Sequence, residues 1–114
     1  MLKNDDVRLR HILDAAREAV AFSCDRSRED LDRDRMLSLS LVRLLEIVGE
    51  AARGISLETR KAHPQIAWNK MAGMRDRLVH GYFDVNLDVV WETVAKDLPP
   101  VIVELEKILS SENG

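Results

Sequence analysis

The sequence is poor in the residues that hold small disulfide-rich or all-β domains together. Its 114 residues include one cysteine, five glycines and three prolines, and 4% are aromatic. The single cysteine, Cys24, excludes an internal disulfide bond and any cysteine-based zinc cluster. The scarcity of glycine, proline and aromatic side chains, beside abundant Leu, Val, Ile and Ala, favours helices over a β-sandwich or a β-barrel.

The sequence also lacks a long uninterrupted hydrophobic run. Its most apolar stretch, residues 37–52, contains Arg43 and Glu46 and is therefore not expected to span a bilayer. The first residues turn acidic, at Asp5 and Asp6, where a secretory signal would turn apolar. These features predict a cytoplasmic protein with no membrane partner.

An excess of positive charge is absent as well. The net charge is −3, from 17 Lys and Arg against 20 Asp and Glu. A protein that binds nucleic acid through many phosphates is expected to be strongly basic. A nucleic-acid ligand would therefore have to be bound through a local positive patch.

Apolar residues recur at three- and four-residue spacing in four stretches, and this pattern predicts one buried stripe on each of four main helices. The first helix is expected from Asn4, as N-cap, to near Cys24, and the second from about Leu37 to Gly54. The third is expected from Pro64 or Gln65 to His80. The fourth begins at Asn86, and Pro99-Pro100 is expected to kink or break it before a last helical piece over Val101–Leu109. Short links between them favour an all-α, antiparallel bundle. We expect one domain, residues 1–114.

Three local patterns refine this interpretation. The alternating charges of residues 26–35 indicate a solvated face rather than a phosphate site. A single helical turn is expected from Ser56 to just before Pro64, because the residue before a proline is pushed out of helical geometry. The small residues Gly49, Ala51 and Ala52 of the second helix are expected to let another helix approach closely.

Residues 73–82 hold the side chains best suited to chemistry. Arginine has a planar fork that matches two phosphate oxygens, so Arg75 is a candidate phosphate ligand. Histidine has an ordinary pKa of about 6.5 and suits general acid or base catalysis, which makes His80 the second candidate. Asp76 and His80 are four residues apart and are expected to share a helix face, where the carboxylate would orient or charge the imidazole. Such a set can cleave RNA without a metal. A base deprotonates the ribose 2'-hydroxyl, which attacks the adjacent phosphorus, and an acid protonates the leaving 5'-oxygen while the arginine stabilises the developing charge, so that the product is a cyclic phosphate.

The spacing of this motif argues against a site within one chain. On a helix, Arg75 and His80 would point roughly 140° apart. A two-fold dimer would ease this by pooling two arginines and two histidines. From spacing alone, however, an exposed and salt-bridged helix end is the commoner interpretation.

Two other histidines and both tryptophans have simpler interpretations. His11 and His63 show no spacing matched to a metal site, so we expect neither a metal nor a cofactor. Trp68 and Trp91 lie at helical spacing and are expected to anchor the core or an interface.

Several basic residues lie near the motif in sequence. Arg77 is the one that we expect to contact substrate. All four basic residues, Arg77 included, are candidates for a local positive patch, but Arg60, Lys61 and Lys70 are expected to be ordinary surface residues.

The pattern of Arg75, four residues, His80, one residue and Tyr82 resembles the signature of HepT-like toxins of the HEPN superfamily. The resemblance extends in matching order to residues 45–52, 63–68 and 90–99, and so covers most of the chain. Ala67 departs from the pattern, because many relatives have proline there. Asp76 is among the polar types seen after the arginine, but an acid repels RNA more than an amide would.

This resemblance implies a HEPN helical bundle that forms a two-fold dimer with both motifs in a cleft at the interface. Arg75 and His80 would be the ribonuclease residues, supported by Asp76. HepT-like toxins are typically paired with MntA, a minimal nucleotidyltransferase antitoxin that transfers AMP onto the motif tyrosine, here Tyr82. The added charge and bulk would block RNA. The alternatives are a non-catalytic helical module that binds nucleotide or scaffolds the nucleotidyltransferase, and a purely structural bundle.

Overall fold

A computed structural model describes residues 3–80 and 84–113 and confirms the all-α bundle. The helices are α1 (Lys3–Ser23), α2 (Asp30–Arg33), α3 (Arg35–Arg53), α4 (Leu57–Ala62), α5 (Trp68–Ala72), α6 (Met74–Leu78), α7 (Leu87–Glu92), a π-helical segment (Thr93–Asp97) and α8 (Leu98–Asn113). Two short strands, β1 (Val79–His80) and β2 (Asp84–Val85), pair antiparallel between α6 and α7. Within these described residues, no helix is long and apolar enough to cross a membrane.

The core lies between the three long helices, α1, α3 and α8, and α5 packs against the C-terminal half of α3. Its largest fully buried side chains include Leu9 and Ile12 of α1, Leu41, Leu45 and Val48 of α3, and Leu98 and Leu105 of α8. Each such burial removes apolar surface from water and contributes about 1.5–3 kcal/mol. The apolar stripes predicted for the first and second helices are therefore confirmed.

The start of α1 differs from the prediction, because Asn4 lies inside the helix, which begins at Lys3. The acid that follows is buried: Asp5 is 2% exposed. Its carboxylate accepts hydrogen bonds from the amide (3.0 Å) and hydroxyl of Ser56 and from the hydroxyl of Thr59 (2.6 Å). Burial alone raises the pKa of Asp5, but these hydrogen bonds outweigh it and hold the pKa below its ordinary value. Asp5 thus joins α1 to the N-terminus of α4.

The proline pair was predicted to kink or break the fourth helix, and the structure shows no break. The chain stays helical from α7 into α8, but the turn before the prolines widens to π type. The amide of Leu98 donates to the carbonyl of Thr93, five residues back. A new helix then begins at Leu98, so Pro99 and Pro100 fall in its first turn, where a missing amide hydrogen costs no helical bond.

Gly49 has the role that its size predicted. A Cβ atom at this position would lie 3.1 Å from the carbonyl oxygen of Met71 and 3.8 Å from the Cβ of Met74. The backbone of α5 therefore packs directly on α3, which positions the start of α6.

The charged segment around α2 forms a solvated network, as predicted. Arg26 bonds to the carboxylates of Asp30 (3.3 Å) and Asp34 (2.8 Å). Arg28 bonds to Asp88 at the start of α7 (2.7 Å). Since their charges are already matched by acids, these arginines are poor candidates for phosphate ligands.

Candidate functional site

Helix α6 carries the first half of the motif. Met74 and Leu78, one turn apart, are 2% and 0% exposed, and the helix packs against α3 and α7. This leaves Asp76 and Arg77 exposed on the outer side. Among the residues that the structure describes, neither of these side chains has an ion-pair partner within 4 Å. Their charges are therefore available to a ligand.

The second half of the motif is not helical, which corrects two predictions. Arg75 lies on the backbone of α6, but the helix ends at Leu78 and His80 lies in β1. The angle of roughly 140° that was expected between Arg75 and His80 on one helix therefore does not apply. For the same reason, Asp76 and His80 do not share a helix face, as had been predicted. The cause is non-local: the carbonyl of Leu78 accepts the amide of Asn86 (2.8 Å), and β1 pairs with β2.

The predicted modification site, Tyr82, lies outside the described residues. The residues that flank residues 81–83 are paired across the ladder, with His80 opposite Asp84. The ladder therefore sets the backbone position of His80 relative to β2 and α7.

The third predicted helix is also shorter at its N-terminal end, where it begins at Trp68 rather than Pro64 or Gln65. Trp68 is 5% exposed, and its indole N–H donates to the carbonyl of His63 (2.9 Å). The core interpretation of Trp68 is confirmed. Over the described positions, no group of three or more His, Cys, Asp or Glu side chains is arranged to hold a metal ion.

Arg60 has a structural role that its sequence position did not reveal. Its guanidinium donates to the carbonyls of Ala52 (2.8 Å), Arg53 (3.3 Å) and Ile55 (3.2 Å) at the end of α3, and to the side-chain oxygen of Asn69 (3.2 Å). It therefore caps the C-terminus of α3 and joins α3, α4 and α5. The prediction of an ordinary surface residue was wrong for Arg60.

The fold and the motif together define a class: a small helical bundle with an arginine on one short helix and a histidine on the extended segment that follows it. The family model described as "Ribonuclease HepT-like" matches residues 12–108. The chain belongs to the HepT-like ribonuclease family.

Individual relatives agree with this assignment. The chain is 38% identical over 104 residues to the "Putative RNase" of Caldanaerobacter subterraneus subsp. tengcongensis, covering 91% of this chain and 93% of the relative. It is 41% identical over 80 residues to the "Probable ribonuclease HepT" of Thermococcus cleftensis, covering 70% and 73% of the two chains. A "Putative RNase" of Methanocaldococcus jannaschii is 32% identical over 111 residues, covering 96% and 92%. No solved structure gives a significant match to this one.

Proposed function

We propose that this protein is a metal-independent endoribonuclease, the toxin of a toxin–antitoxin pair, and that Arg75 and His80 cleave RNA. The observation that carries the proposal is the pattern of these two residues at the junction of α6 and β1, in a chain of the HepT-like ribonuclease family. The exposed guanidinium of Arg77 on the same helix supports a phosphate ligand there.

The proposed reaction needs only proton transfer and charge stabilisation. A neutral His80 takes the proton of the ribose 2'-hydroxyl, whose oxygen then forms a bond to the adjacent phosphorus. The bond from phosphorus to the 5'-oxygen breaks, and the leaving oxygen takes a proton from the protonated His80 of the second copy. Arg75 stabilises the negative charge that develops on the phosphoryl oxygens. The products are a 2',3'-cyclic phosphate and a 5'-hydroxyl.

Asp76 and Arg77 have supporting roles in this proposal. Arg77 contacts a substrate phosphate, since it is permanently charged and exposed. Asp76 is a positioning residue: its exposed negative charge attracts the guanidinium of the neighbouring Arg75. Both roles require a two-fold homodimer that brings two copies of α6 to one cleft.

Regulation is part of the same proposal. A minimal nucleotidyltransferase antitoxin of the MntA type transfers AMP to Tyr82, whose phenolic oxygen attacks the α-phosphorus of ATP while pyrophosphate leaves. The phosphate adds negative charge two residues from His80 and repels RNA. The pair acts in the cytoplasm, where ATP and RNA are both present.

Expression in a host without the antitoxin tests the catalytic proposal. Wild type, Arg75→Ala and His80→Ala are compared with Arg35→Ala, a control that removes an exposed arginine at the start of α3. We expect growth arrest and RNA cleavage from wild type and the control, and neither from the two motif variants. Equal RNA cleavage by wild type and His80→Ala would refute the assignment of His80.

A non-catalytic module that scaffolds the nucleotidyltransferase is the second candidate. The net charge of −3 and the exposed Asp76 favour it, because both weaken the attraction of RNA. In that case well-folded wild type leaves RNA intact, while Arg75→Ala and His80→Ala lose affinity for the nucleotidyltransferase.

A further inference from the structure

A surface depression between α4 and α5 gathers positive charge without any acidic side chain among its described lining residues. Its volume is about 490 Å³, and its charged lining residues are Arg60, Lys61 and Lys70. This is notable in a chain whose acids outnumber its lysines and arginines by 20 to 17. The exposed side chain of Leu57 and the buried Trp68 form part of the apolar wall.

The three cations differ in how far their charges are already matched. Arg60 is held by backbone carbonyls and Asn69, so it contributes a fixed positive charge. Lys70 is half exposed and pairs with Asp97 at 3.2 Å. Lys61 is exposed, and within the described part of the chain no carboxylate lies within 4 Å of its ammonium group. Lys61 is therefore the cation best placed to accept an external anion.

The depression is continuous with the outer face of the motif helix. The amide of Gly73 donates to the carbonyl of Asn69 (3.0 Å), and the amide of Arg77 donates to the carbonyl of Gly73 (3.3 Å). These bonds carry the helical repeat from α5 into α6, so Asn69, Gly73 and Arg77 share one face. Asn69 and Arg77 are exposed, and the half-buried Gly73 between them has no side chain to block a ligand.

The spacing along this face suits a polyanion. Seven residues separate Lys70 from Arg77, which is about 10 Å along a helix axis. Each strand of a duplex carries one charge per about 3.4 Å of helix axis, and the phosphates of an extended single strand lie farther apart, so this length spans at most about three nucleotides. Asp76 lies beside this path and repels phosphate, and cations are therefore needed at both ends of it.

We propose that the depression between α4 and α5 is a second phosphate-binding site for the RNA substrate, with Lys61 as its principal ligand. It holds the strand a few nucleotides from the cleavage motif, while Arg77 holds it at the motif. This inference rests on the proposed ribonuclease function, but it concerns binding rather than cleavage. A local path of this kind explains how a net acidic protein retains a polyanionic substrate.

The salt dependence of binding tests this proposal. The probe is a mixed-sequence, single-stranded 2'-O-methyl RNA of about 20 nucleotides, in which the nucleophile is blocked so that binding is read without cleavage. Affinity is measured by fluorescence anisotropy from 50 to 200 mM KCl for wild type, Lys61→Gln and Arg35→Gln. Arg35→Gln makes the same change in net charge at the opposite end of α3, about 27 Å from Arg53 along the helix axis.

One lost phosphate contact lowers the slope of log affinity against log salt by about 0.7 for a single strand. When KCl is raised fourfold, from 50 to 200 mM, the fold-loss of affinity should therefore be about 2.6 times smaller for Lys61→Gln than for wild type. It should also bind more weakly at 50 mM, and Lys61→Glu more weakly still, while Arg35→Gln keeps the wild-type slope. Circular dichroism of each variant shows whether the fold is retained.

Two outcomes overturn the proposal: Lys61→Gln and Arg35→Gln share the wild-type slope, or wild type does not bind the probe at all. The proposed cleavage is judged separately, on unmodified RNA. If wild type binds with a Lys61-dependent slope but leaves natural RNA intact, the binding site stands and the ribonuclease proposal fails. If wild type cleaves natural RNA but its binding of the probe does not depend on Lys61, the ribonuclease proposal stands and the second phosphate site fails.

Discussion

Replacing Gly49 with alanine sets two opposing effects against each other at the contact between α3 and α5. An alanine inside a helix is favoured over glycine by about 1 kcal/mol, because glycine loses more backbone freedom on folding. Against this, the new Cβ atom would lie 3.1 Å from the carbonyl oxygen of Met71, closer than an ordinary van der Waals contact. The neighbouring atom belongs to the backbone, so α5 must move as a whole by a few tenths of an ångström.

The steric effect should win. Overpacking a well-packed interior costs typically about 1–3 kcal/mol, so the expected net change for Gly49→Ala is a destabilisation of about 1 kcal/mol. For a domain of this size the corresponding fall in Tm is about 4 °C. Because α5 leads directly into α6, the same movement displaces the backbone that carries Arg75, and ribonuclease activity should fall as well.

Gly54→Ala is the matched control for this prediction. A Cβ atom at Gly54 would contact the far end of the Arg8 side chain, which can rotate away, and the φ angle of −86° suits any residue. Its effect on stability should therefore be small. Urea unfolding of wild type and both variants gives the free energies of unfolding, with unchanged m-values as the check on two-state behaviour. If Gly49→Ala proved as stable as wild type or more so, the argument from close helix packing would be wrong.

Three further predictions concern the buried carboxylate of Asp5, the proposed modification of Tyr82, and the bond between Leu78 and Asn86. Asp5→Asn should destabilise the protein by about 1–3 kcal/mol at neutral pH, because it weakens the hydrogen bonds to Ser56 and Thr59. The pKa of Asp5 is lowered in the folded state, so the stability that its carboxylate contributes is lost as the pH falls. In urea titrations, the difference in stability between wild type and Asp5→Asn should therefore shrink below a pH of about 4. Tyr82→Phe should keep ribonuclease activity but gain no mass on incubation with ATP and the nucleotidyltransferase. Asn86→Pro removes the amide hydrogen that is bonded to the carbonyl of Leu78, whereas Asn86→Ala removes only the side-chain cap of α7. Asn86→Pro should therefore lose more ribonuclease activity than Asn86→Ala. Equal RNA cleavage by the two variants would argue against a role for that backbone bond in placing the motif.

The parts of the fold that follow from local pattern were predictable. The apolar stripes of α1 and α3 and the single turn of α4 were located to within a few residues, because periodicity and capping act over one or two helical turns. The buried carboxylate of Asp5 was not predictable, since its partners Ser56 and Thr59 lie more than fifty residues away. The π-helical segment before Pro99 was missed for a different reason: a proline pair specifies which amides are missing, not how the chain compensates.

The end of α6 is the clearest case of a non-local effect at the site. Helical periodicity through Leu78 predicted that the helix would continue to His80, whereas the structure turns into β1. A signal was present in the β-branched Val79 and Val85, which favour extended backbone and which pair across the ladder. Two isolated valines are too weak a pattern to outweigh a helical stripe, so only the tertiary pairing decides the boundary.

The two halves of the motif are therefore positioned by different parts of the molecule. The position of Arg75 depends on α5, which can lie close to α3 because Gly49 has no side chain. His80 follows the ladder, which is held by the bond between Leu78 and Asn86 at the start of α7. A substitution at either support can change the separation of arginine and histidine without touching them. Catalysis by a two-residue motif depends on that separation to within about half an ångström, so activity should be lost well before the fold is.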